Sequence, residues 1–496
     1  MEAFEIVFAL IVCALSYVAY KLYQLQTYWK SRGVPYVQPK FMVGNMTETA
    51  KKPYFMHYRE VYEKLKGKSP FVGFYFFLMP FAFITDLELV KSILIKDFNN
   101  FVDRGMYTNE KDDPLTGHLF SVDGDRWRVM RHKLSTTFTS GKMKFMFPTV
   151  SEVSKQLSAV LSSTVEKSDS IVEIKELLSK YTTDVIGRCA FGIDCNSLKN
   201  PNAEFRLRGK QIFSDHRHNA FIEAMMFTFP NFFRKIGVKF TPQHVSDFFL
   251  GAVRETVAFR EKNNVVKNDF MNILMELKKN KETSLTIEEI AAQCFLFFAA
   301  GFETSSSTMG FCLYELALNQ DIQEKARTEI LEIFEKHKGE LTYESMKEMR
   351  YLEQCVKETL RKYAILPHLQ RVALKDYKIE NFDLTIEKGT VCMIPIDSIM
   401  NDCDIYPNPE TFNPDRFSQE EIQNRHPMAW LPFGDGPRNC VGLRFGKMQT
   451  YIGLIDLLSK FQFSVCGRTA MPLEFETGNI FFSTKSGIYL KVENVK

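Results

Sequence analysis

The run IEEIAAQCFLFFAAGFETSSSTMGFCLYELAL, residues 287–318, constrains the fold of this chain most. Thr286 and Glu289 open it as a capping box. In such a box the threonine oxygen takes the amide three residues on, and the glutamate returns to the threonine amide. Helical patterning dominates elsewhere too. It runs through GDRWRVMRHKLSTTF (124–138), MKEMRYLEQCVKETLRKYA (346–364) and a stretch from about Gly442 to Phe461. Short alternating or β-branched runs fall near 70–86, 370–395 and 463–495. No internal repeat and no low-complexity linker follows residue 40. The expected class is mainly α with small β-sheets at the periphery.

At 496 residues the chain has room for several domains of ~150 residues or for one large domain. Hydrophobic residues make up 45% of it, enough to bury a sizeable core. Phenylalanine stands at 45 residues against three tryptophans, which suits a core or the lining of an apolar cavity. A net charge of +3 carries no whole-chain signal for nucleic acid. The ten cysteines are scattered, with no CxxC and no zinc-spaced cluster. Most of them read as small buried apolar residues in a reducing compartment. His216 and His218 read as part of a polar helix face rather than as metal ligands.

Ile6–Tyr20 carries no charge, and with Ala3 and Phe4 it approaches the ~17–25 residues that span a bilayer. A cleaved signal peptide is the competing reading. Against it, acidic Glu2 and Glu5 precede the run, whereas Lys21, Lys30 and Arg32 follow it. The positive-inside rule then places the rest of the chain in the cytoplasm, behind a retained anchor over 1–29. Tyr17, Tyr20, Tyr23, Tyr28 and Trp29 suit the interface. SRGVPYVQPKF, with Gly33, Pro35 and Pro39, reads as a stiff hinge within 30–45.

Four constellations carry chemistry. In PFGDGPRNCVG, 432–442, Cys440 stands just ahead of a helix, whose free amides and dipole stabilise a thiolate. Gly434, Gly436 and Gly442 let backbone wrap a bulky partner, and Arg438 adds a fixed cation. One soft thiolate in an apolar loop suits haem iron better than zinc, which takes several ligands. In AAGFETSS, 299–306, Gly301, Glu303 and Thr304 interrupt an apolar helix. Gly301 opens room beside it. Thr304 can bond a carbonyl one turn back or hold a water, and Glu303 can pass protons inward. Small residues for helix packing are the plainer reading. Glu358 and Arg361 are three apart in KETLR and can pair, which alone suits a solvated face. Trp127 and Arg131 share one face of DRWRVMR.

The spacing Phe433-Gly434-x-Gly436-x-Arg438-x-Cys440-x-Gly442 resembles the haem-binding signature of the cytochrome P450 family. AAGFETSS resembles that family's oxygen-binding motif, and KETLR with PDRF resembles its ExxR network, which adds Arg416. The resemblance covers about residues 30–496, and NEKDDPLTGHLFS, TFTSGKMK and CVGLRFGKMQ are similar to insect detoxification-type members. One departure lies in the hinge, where Phe41–Val43 stand ahead of Gly44-Asn45 without the relatives' further proline.

The resemblance implies a P450 fold over 46–496 behind the transmembrane helix and hinge. It implies haem b (iron protoporphyrin IX) on Cys440 and insertion of one oxygen atom from O2 into apolar molecules such as xenobiotics, plant toxins and insecticides. Glu303 and Thr304 would deliver protons. Arg104, Trp127, Arg131, Arg371, Phe433 and Arg438 would hold the haem, and Glu358, Arg361 and Arg416 would lock the core behind it. Phe120, Phe297, Phe298, Ala300, Leu366, Ile480, Phe481 and Phe482 would meet substrate. Electrons would come from NADPH through NADPH-cytochrome P450 reductase, with cytochrome b5 as a further partner. Arg126, Arg128, His132, Lys133, Lys142, Lys144 and Lys447 would offer a basic docking patch, with ordinary solvation as the alternative. The run 225–240 would dip into lipid or pack as core. The expected location is the endoplasmic reticulum membrane, cytoplasmic side. The alternatives are a hormone- or lipid-metabolising member, a haem-thiolate isomerase or dehydratase, and a non-enzymatic haem-binding protein.

Overall fold

The computed structural model describes residues 2–167, 169–267, 269–279, 284–479 and 481–495, and the chain divides into two compact units. The first takes residues 1–105, 367–399 and 477–480, the second 106–366, 400–476 and 481–496.

The first unit begins with the helix Glu2–Gln26, whose part Phe4–Gln26 is long and apolar enough to cross a membrane. Four strands form its sheet: β1 (Phe71–Phe76), β2 (Met79–Ile84), β3 (Leu369–Val372) and β4 (Val391–Ile394), in the order β1-β2-β4-β3. β1 and β2 make a hairpin with Phe71 opposite Ile84. Phe81 pairs in parallel with Val391, and Leu369 antiparallel with Ile394.

Trp29 corrects the interface reading. It is fully buried on β1, where its Nε1 donates to the Phe74 carbonyl at 3.3 Å. A side chain at Gly73 would run into the indole, so this glycine is what lets the ring lie flat on the strand. Tyr17, Tyr20 and Tyr23 stay exposed. The proline-bearing segment that follows is laid on β1. Gly73 donates to the Pro35 carbonyl at 2.7 Å, and Val37 donates to the Gly73 carbonyl at 2.9 Å.

The second unit is organised by a central helix, Ile287–Leu318. Its capping box forms: Glu289 N–H donates to Thr286 Oγ1 at 3.1 Å and Thr286 N–H to Glu289 Oε2 at 2.8 Å. Most positions from Ile290 to Ala317 are buried. Helices Ile174–Ile186, Gln243–Asn263, Arg350–Lys362 and Leu443–Leu458 pack around it, which is why an all-round apolar sequence is tolerated. A three-stranded sheet of Ile171–Glu173, Tyr489–Asn494 and Phe461–Ser464 belongs to the same unit.

The helix expected over 346–364 is broken at Met349 into Tyr343–Glu348 and Arg350–Lys362. The second piece is capped from a neighbouring helix. Glu329 accepts the N–H groups of Tyr351 at 2.8 Å and Leu352 at 3.0 Å, so orphan amides are satisfied without any local cap residue. The helix expected over 124–138 ends at Ser135 and tightens into a 3-10 turn over Thr136–Phe138.

In the first unit Tyr58 is ringed by Phe74, Phe83, His57 and His368. Burial lowers the pKa of His57 and pushes that of His368 down to about 4. The unfolded chain therefore takes up these protons first, and stability falls as pH drops from about 6.5 toward 4. The expected loss at His368 is up to about 3 kcal/mol. Unfolding midpoints measured at pH 7.5 and 5 should differ accordingly, and His368→Asn should flatten the difference.

Candidate active site

The cysteine loop owes its shape to two glycines. Gly434 and Gly436 have φ of 67° and 72°, left-handed values that a side chain would strain. The loop closes when Cys440 N–H donates to the Phe433 carbonyl at 2.9 Å and Asn439 N–H to that of Gly436 at 3.1 Å. The helix Leu443–Leu458 follows, with Gly442 as its N-cap, so Cys440 sits at the positive end of the helix dipole. Cys440 is exposed, whereas Cys189, Cys294, Cys312, Cys355 and Cys392 are buried. Burial pushes the Cys312 thiol up to about 12 and raises the other four.

Side chains from helix Gly124–Ser135 and from the turn before it hold this loop. Arg131 donates through Nη1 to the Asn439 carbonyl at 2.8 Å and through Nη2 to Asn439 Oδ1 at 2.7 Å. Burial lowers the Arg131 pKa, and the nearby Cys440 charge opposes that shift. Arg438 is 2% exposed; it donates to Asp123 Oδ1 at 3.0 Å and to the Val122 carbonyl, with its guanidinium 4.9 Å from the Trp127 ring centroid. Phe433 stands 6.3 Å from Trp430. Arg371 is buried on β3 and Arg104 is half-buried; both belong to the first unit, where Gln370 donates to the Arg104 carbonyl at 2.7 Å.

In the central helix Thr304 Oγ1 donates to the Ala300 carbonyl at 2.6 Å. Glu303 pairs with Lys175 at 2.6 Å and accepts from Ser307 Oγ at 3.3 Å. Gly301 does not open room. A side chain there would strike Ile186, so the glycine serves close helix packing. Ala300 is exposed and Gly301, Glu303 and Thr304 are half-buried, on a helix that is otherwise mostly enclosed.

The residues expected to meet substrate separate into two groups. Phe120, Ala300, Leu366 and Phe481 keep accessible surface, and Phe481 packs 5.1 Å from Phe213. Phe298 has none; it is packed among Phe205, Phe249 and Phe302. Phe297 is wedged against Phe138 and Phe270, and Phe482 against Phe475. Those three are packing residues in this conformation. Ile480 lies outside the described residues.

Glu358 and Arg361 are fully buried. All five guanidinium donors of Arg361 are used. Nε and Nη2 bond Glu358 at 2.7 and 3.0 Å, Nη2 also bonds the Pro409 carbonyl, and Nη1 bonds the Met400 carbonyl and Asn401 Oδ1. Glu358 Oε1 also takes the Asn413 N–H at 3.0 Å and lies 3.4 Å from Arg416 Nε. Arg416 Nη2 holds the carbonyls of Pro407 and Asn408.

The donor set fits a haem. One accessible thiol stands at a helix N-terminus, in a loop whose glycines leave no side chains in the way. Within the second unit, the guanidiniums of buried Arg438 and half-buried Arg131 carry a desolvation cost that the two carboxylates of the macrocycle would offset. Asn439, Asp123, Lys175 and Gln449, which complete this arrangement, were not singled out from sequence. Only Asp123, inside the GDRW motif's flank, carries a local signal. An accessible thiol of this kind, with a hydroxyl-bearing, partly open stretch on the central helix, defines a haem-thiolate oxygenase.

The comparisons with known proteins agree. The family model for Cytochrome P450 matches residues 34–492. The chain is 48% identical to cytochrome P450 6a2 of Drosophila melanogaster, over 98% of this chain and 99% of that one. It is 49% identical to cytochrome P450 6a8 over 99% of each, and 47% identical to cytochrome P450 6a9 over the full length of each, both from the same fly. The chain belongs to the cytochrome P450 family. It is a haem monooxygenase that uses haem b and O2, with NADPH as the electron source through a reductase.

Removing one partner of the buried pair leaves an uncompensated charge. Arg361→Ala or Glu358→Ala should cost about 3–5 kcal/mol, enough to abolish recovery of folded haem protein, as read from the ferrous–CO spectrum. Arg126→Ala, on an exposed cation, should leave that recovery unchanged.

Proposed function

We propose that this enzyme oxidises apolar xenobiotics, plant toxins and insecticides among them. The observation that carries the reading is the flank of the central helix at Ala300–Thr304, which keeps accessible surface in a unit otherwise packed with phenylalanine. Such a site gains from burying apolar ligands and sets few polar conditions on them. Phe120, Ala300, Leu366 and Phe481 are the contact residues in this reading, and Ile480 joins them on the family resemblance alone.

Haem, when bound, supplies the iron that takes O2 and carries out the oxidation. Cys440 is its thiolate ligand, steadied by the helix behind it. Arg104, Trp127, Arg131, Arg371, Phe433 and Arg438 hold it, Arg131 by fixing Asn439 and Arg438 by fixing the turn at Val122–Asp123. Thr304 keeps a proton at Oγ1 beside the Ala300 carbonyl, and Glu303, set between Lys175 and Ser307, relays protons toward it. Glu358, Arg361 and Arg416 act as structural residues only.

Residues 1–29 form the anchor, 30–45 the connection and 46–496 the catalytic part, on the cytoplasmic face of the endoplasmic reticulum. NADPH-cytochrome P450 reductase delivers electrons, with cytochrome b5 as a further donor. Arg126 pairs with Glu110 and Glu289, Lys144 with Glu344 and Lys447 with Glu353. The exposed pairs Arg126–Glu110 and Lys144–Glu344 contribute little, so an acidic partner can displace them.

The segment 225–240 also contacts lipid. Phe229, Phe232 and Ile236 are exposed on and beside the short helices Ala220–Thr228 and Pro230–Lys235. The end of this segment is tied to NEKDDP. Tyr107 Oη donates to the Val238 carbonyl at 2.6 Å, and Asp113 accepts from Phe240 and Thr241 N–H at 2.9 and 2.7 Å.

Two measurements test this reading. Cys440→Ser should abolish the thiolate-type Soret band of the ferrous–CO form, and a retained band would mean that another thiol binds iron. Full-length Phe232→Trp in nanodiscs with brominated acyl chains should show an extra, quenched tryptophan signal. An unquenched signal would place the segment outside the bilayer.

A further inference from the structure

We infer that Gln449 is a positioning residue for oxygen activation, acting through the turn of the central helix that carries Thr304. The inference rests on Thr304 holding the proton as proposed above.

In this turn five consecutive carbonyls each accept a side-chain donor in addition to their place in the helix. Ala300 takes Thr304 Oγ1, Gly301 takes Gln449 Nε2 at 2.7 Å, and Phe302 takes Thr182 Oγ1 at 2.9 Å. Glu303 takes Ser306 Oγ at 3.1 Å and Thr304 takes Thr308 Oγ1 at 2.8 Å. Three of the donors belong to the helix itself. Only Thr182 and Gln449 reach in from outside, and Gln449 stands on Leu443–Leu458, the helix that begins just after Cys440. One side chain therefore links the element that fixes the thiol to the turn that fixes the hydroxyl.

The orientation of the amide follows from chemistry. The Gly301 carbonyl can only accept, so the NH2 end of Gln449 must face it. The same Nε2 lies 2.5 Å from Ser305 Oγ, and the backbone carbonyl of Gln449 takes the Tyr181 hydroxyl at 3.0 Å. Gln449 is fully buried, and its Oε1 has no hydrogen-bond partner. An unsatisfied buried acceptor costs stability that a methionine of similar length would recover. Stability alone thus disfavours a glutamine here, and its donor end is the part with a use. It ties the Gly301 carbonyl to the helix that follows Cys440, one turn ahead of Thr304, on the stretch where the central helix is open.

The test uses the full-length enzyme with reductase, a fluorogenic alkoxycoumarin that the wild type dealkylates, and four chains: wild type, Gln449→Met, Thr304→Ala and the double variant. Gln449→Met should keep the thiolate-type ferrous–CO band and unfold at or above the wild-type temperature. Its product formed per NADPH should fall about three- to tenfold, with hydrogen peroxide rising in proportion, as a loss of about 1 kcal/mol of positioning would give. In the Thr304→Ala background the same change should add less than a factor of two, because residues acting through one another are not additive. Unchanged coupling in Gln449→Met overturns the inference, and so does an equal loss in both backgrounds. Thr304→Ala with full coupling would instead sink the reading of Thr304. Should Gln449→Met fail to fold, Ser305→Ala removes one acceptor of the amide without adding volume. It should give a smaller loss in the same direction, and full coupling there overturns the inference.

Discussion

The Glu358–Arg361 pair is the interaction on which the haem-bearing unit depends. Two charges with no solvent contact would be destabilising if any lone pair or N–H were left over. None of the guanidinium donors is, because the chain from Met400 to Pro409 brings two carbonyls and the Asn401 side chain to them, while the Asn413 N–H and Arg416 serve the Glu358 carboxylate. That irregular stretch has little regular backbone pairing of its own. It is ordered because the helix Arg350–Lys362 presents a fixed fork of donors, and its order in turn sets the approach to the cysteine loop. An apolar replacement of the pair could be as stable in principle, but it would leave the Pro409 and Met400 carbonyls without donors.

The central helix shows the opposite use of polar groups. Its all-round apolar sequence is stabilised by enclosure, yet at 300–304 every carbonyl takes a second donor. Serine and threonine back-bonding bends helices and weakens them slightly. That cost falls on the one stretch with accessible surface. In the proposed reading, local stability is given up where Thr304 holds a proton beside an apolar substrate.

What could be read in advance tracks how local each signal is. The capping box at Thr286, the glycines about Cys440 and the apolar run at Phe4–Gln26 are determined within a few residues, and each was legible. Glu358 and Arg361 were legible only as a pair, because an i,i+3 ion pair looks the same exposed or buried. Its burial is decided by Met400, Pro409 and Asn413, some 40 to 55 residues away. Trp29 was misread for the same reason, since its partner Gly73 lies on a strand. The break at Met349 depends on Glu329, and Lys175 reaches Glu303 across 128 residues. Gly301 reads in sequence as room beside the helix, whereas contact with Ile186 accounts for it.

The ten thiols show how one site is selected from many. Burial disfavours a thiolate, and it raises the pKa of Cys189, Cys195, Cys294, Cys312, Cys355 and Cys392. Those six are small apolar residues in effect and compete neither for iron nor for oxidants. Exposure alone does not select either, because Cys13 and Cys403 are exposed as well. Cys13 lies in the N-terminal helix, and Cys403 stands between Asp402 and Asp404 in a turn that follows a short helix rather than preceding one. Cys440 alone joins exposure to a helix N-terminus and a nearby guanidinium, Arg131. In the proposed reading, iron is directed to it by the electrostatics of the loop as much as by the identity of the residue. Moving a thiol to a neighbouring position without that helix end would keep the ligand atom and lose the site.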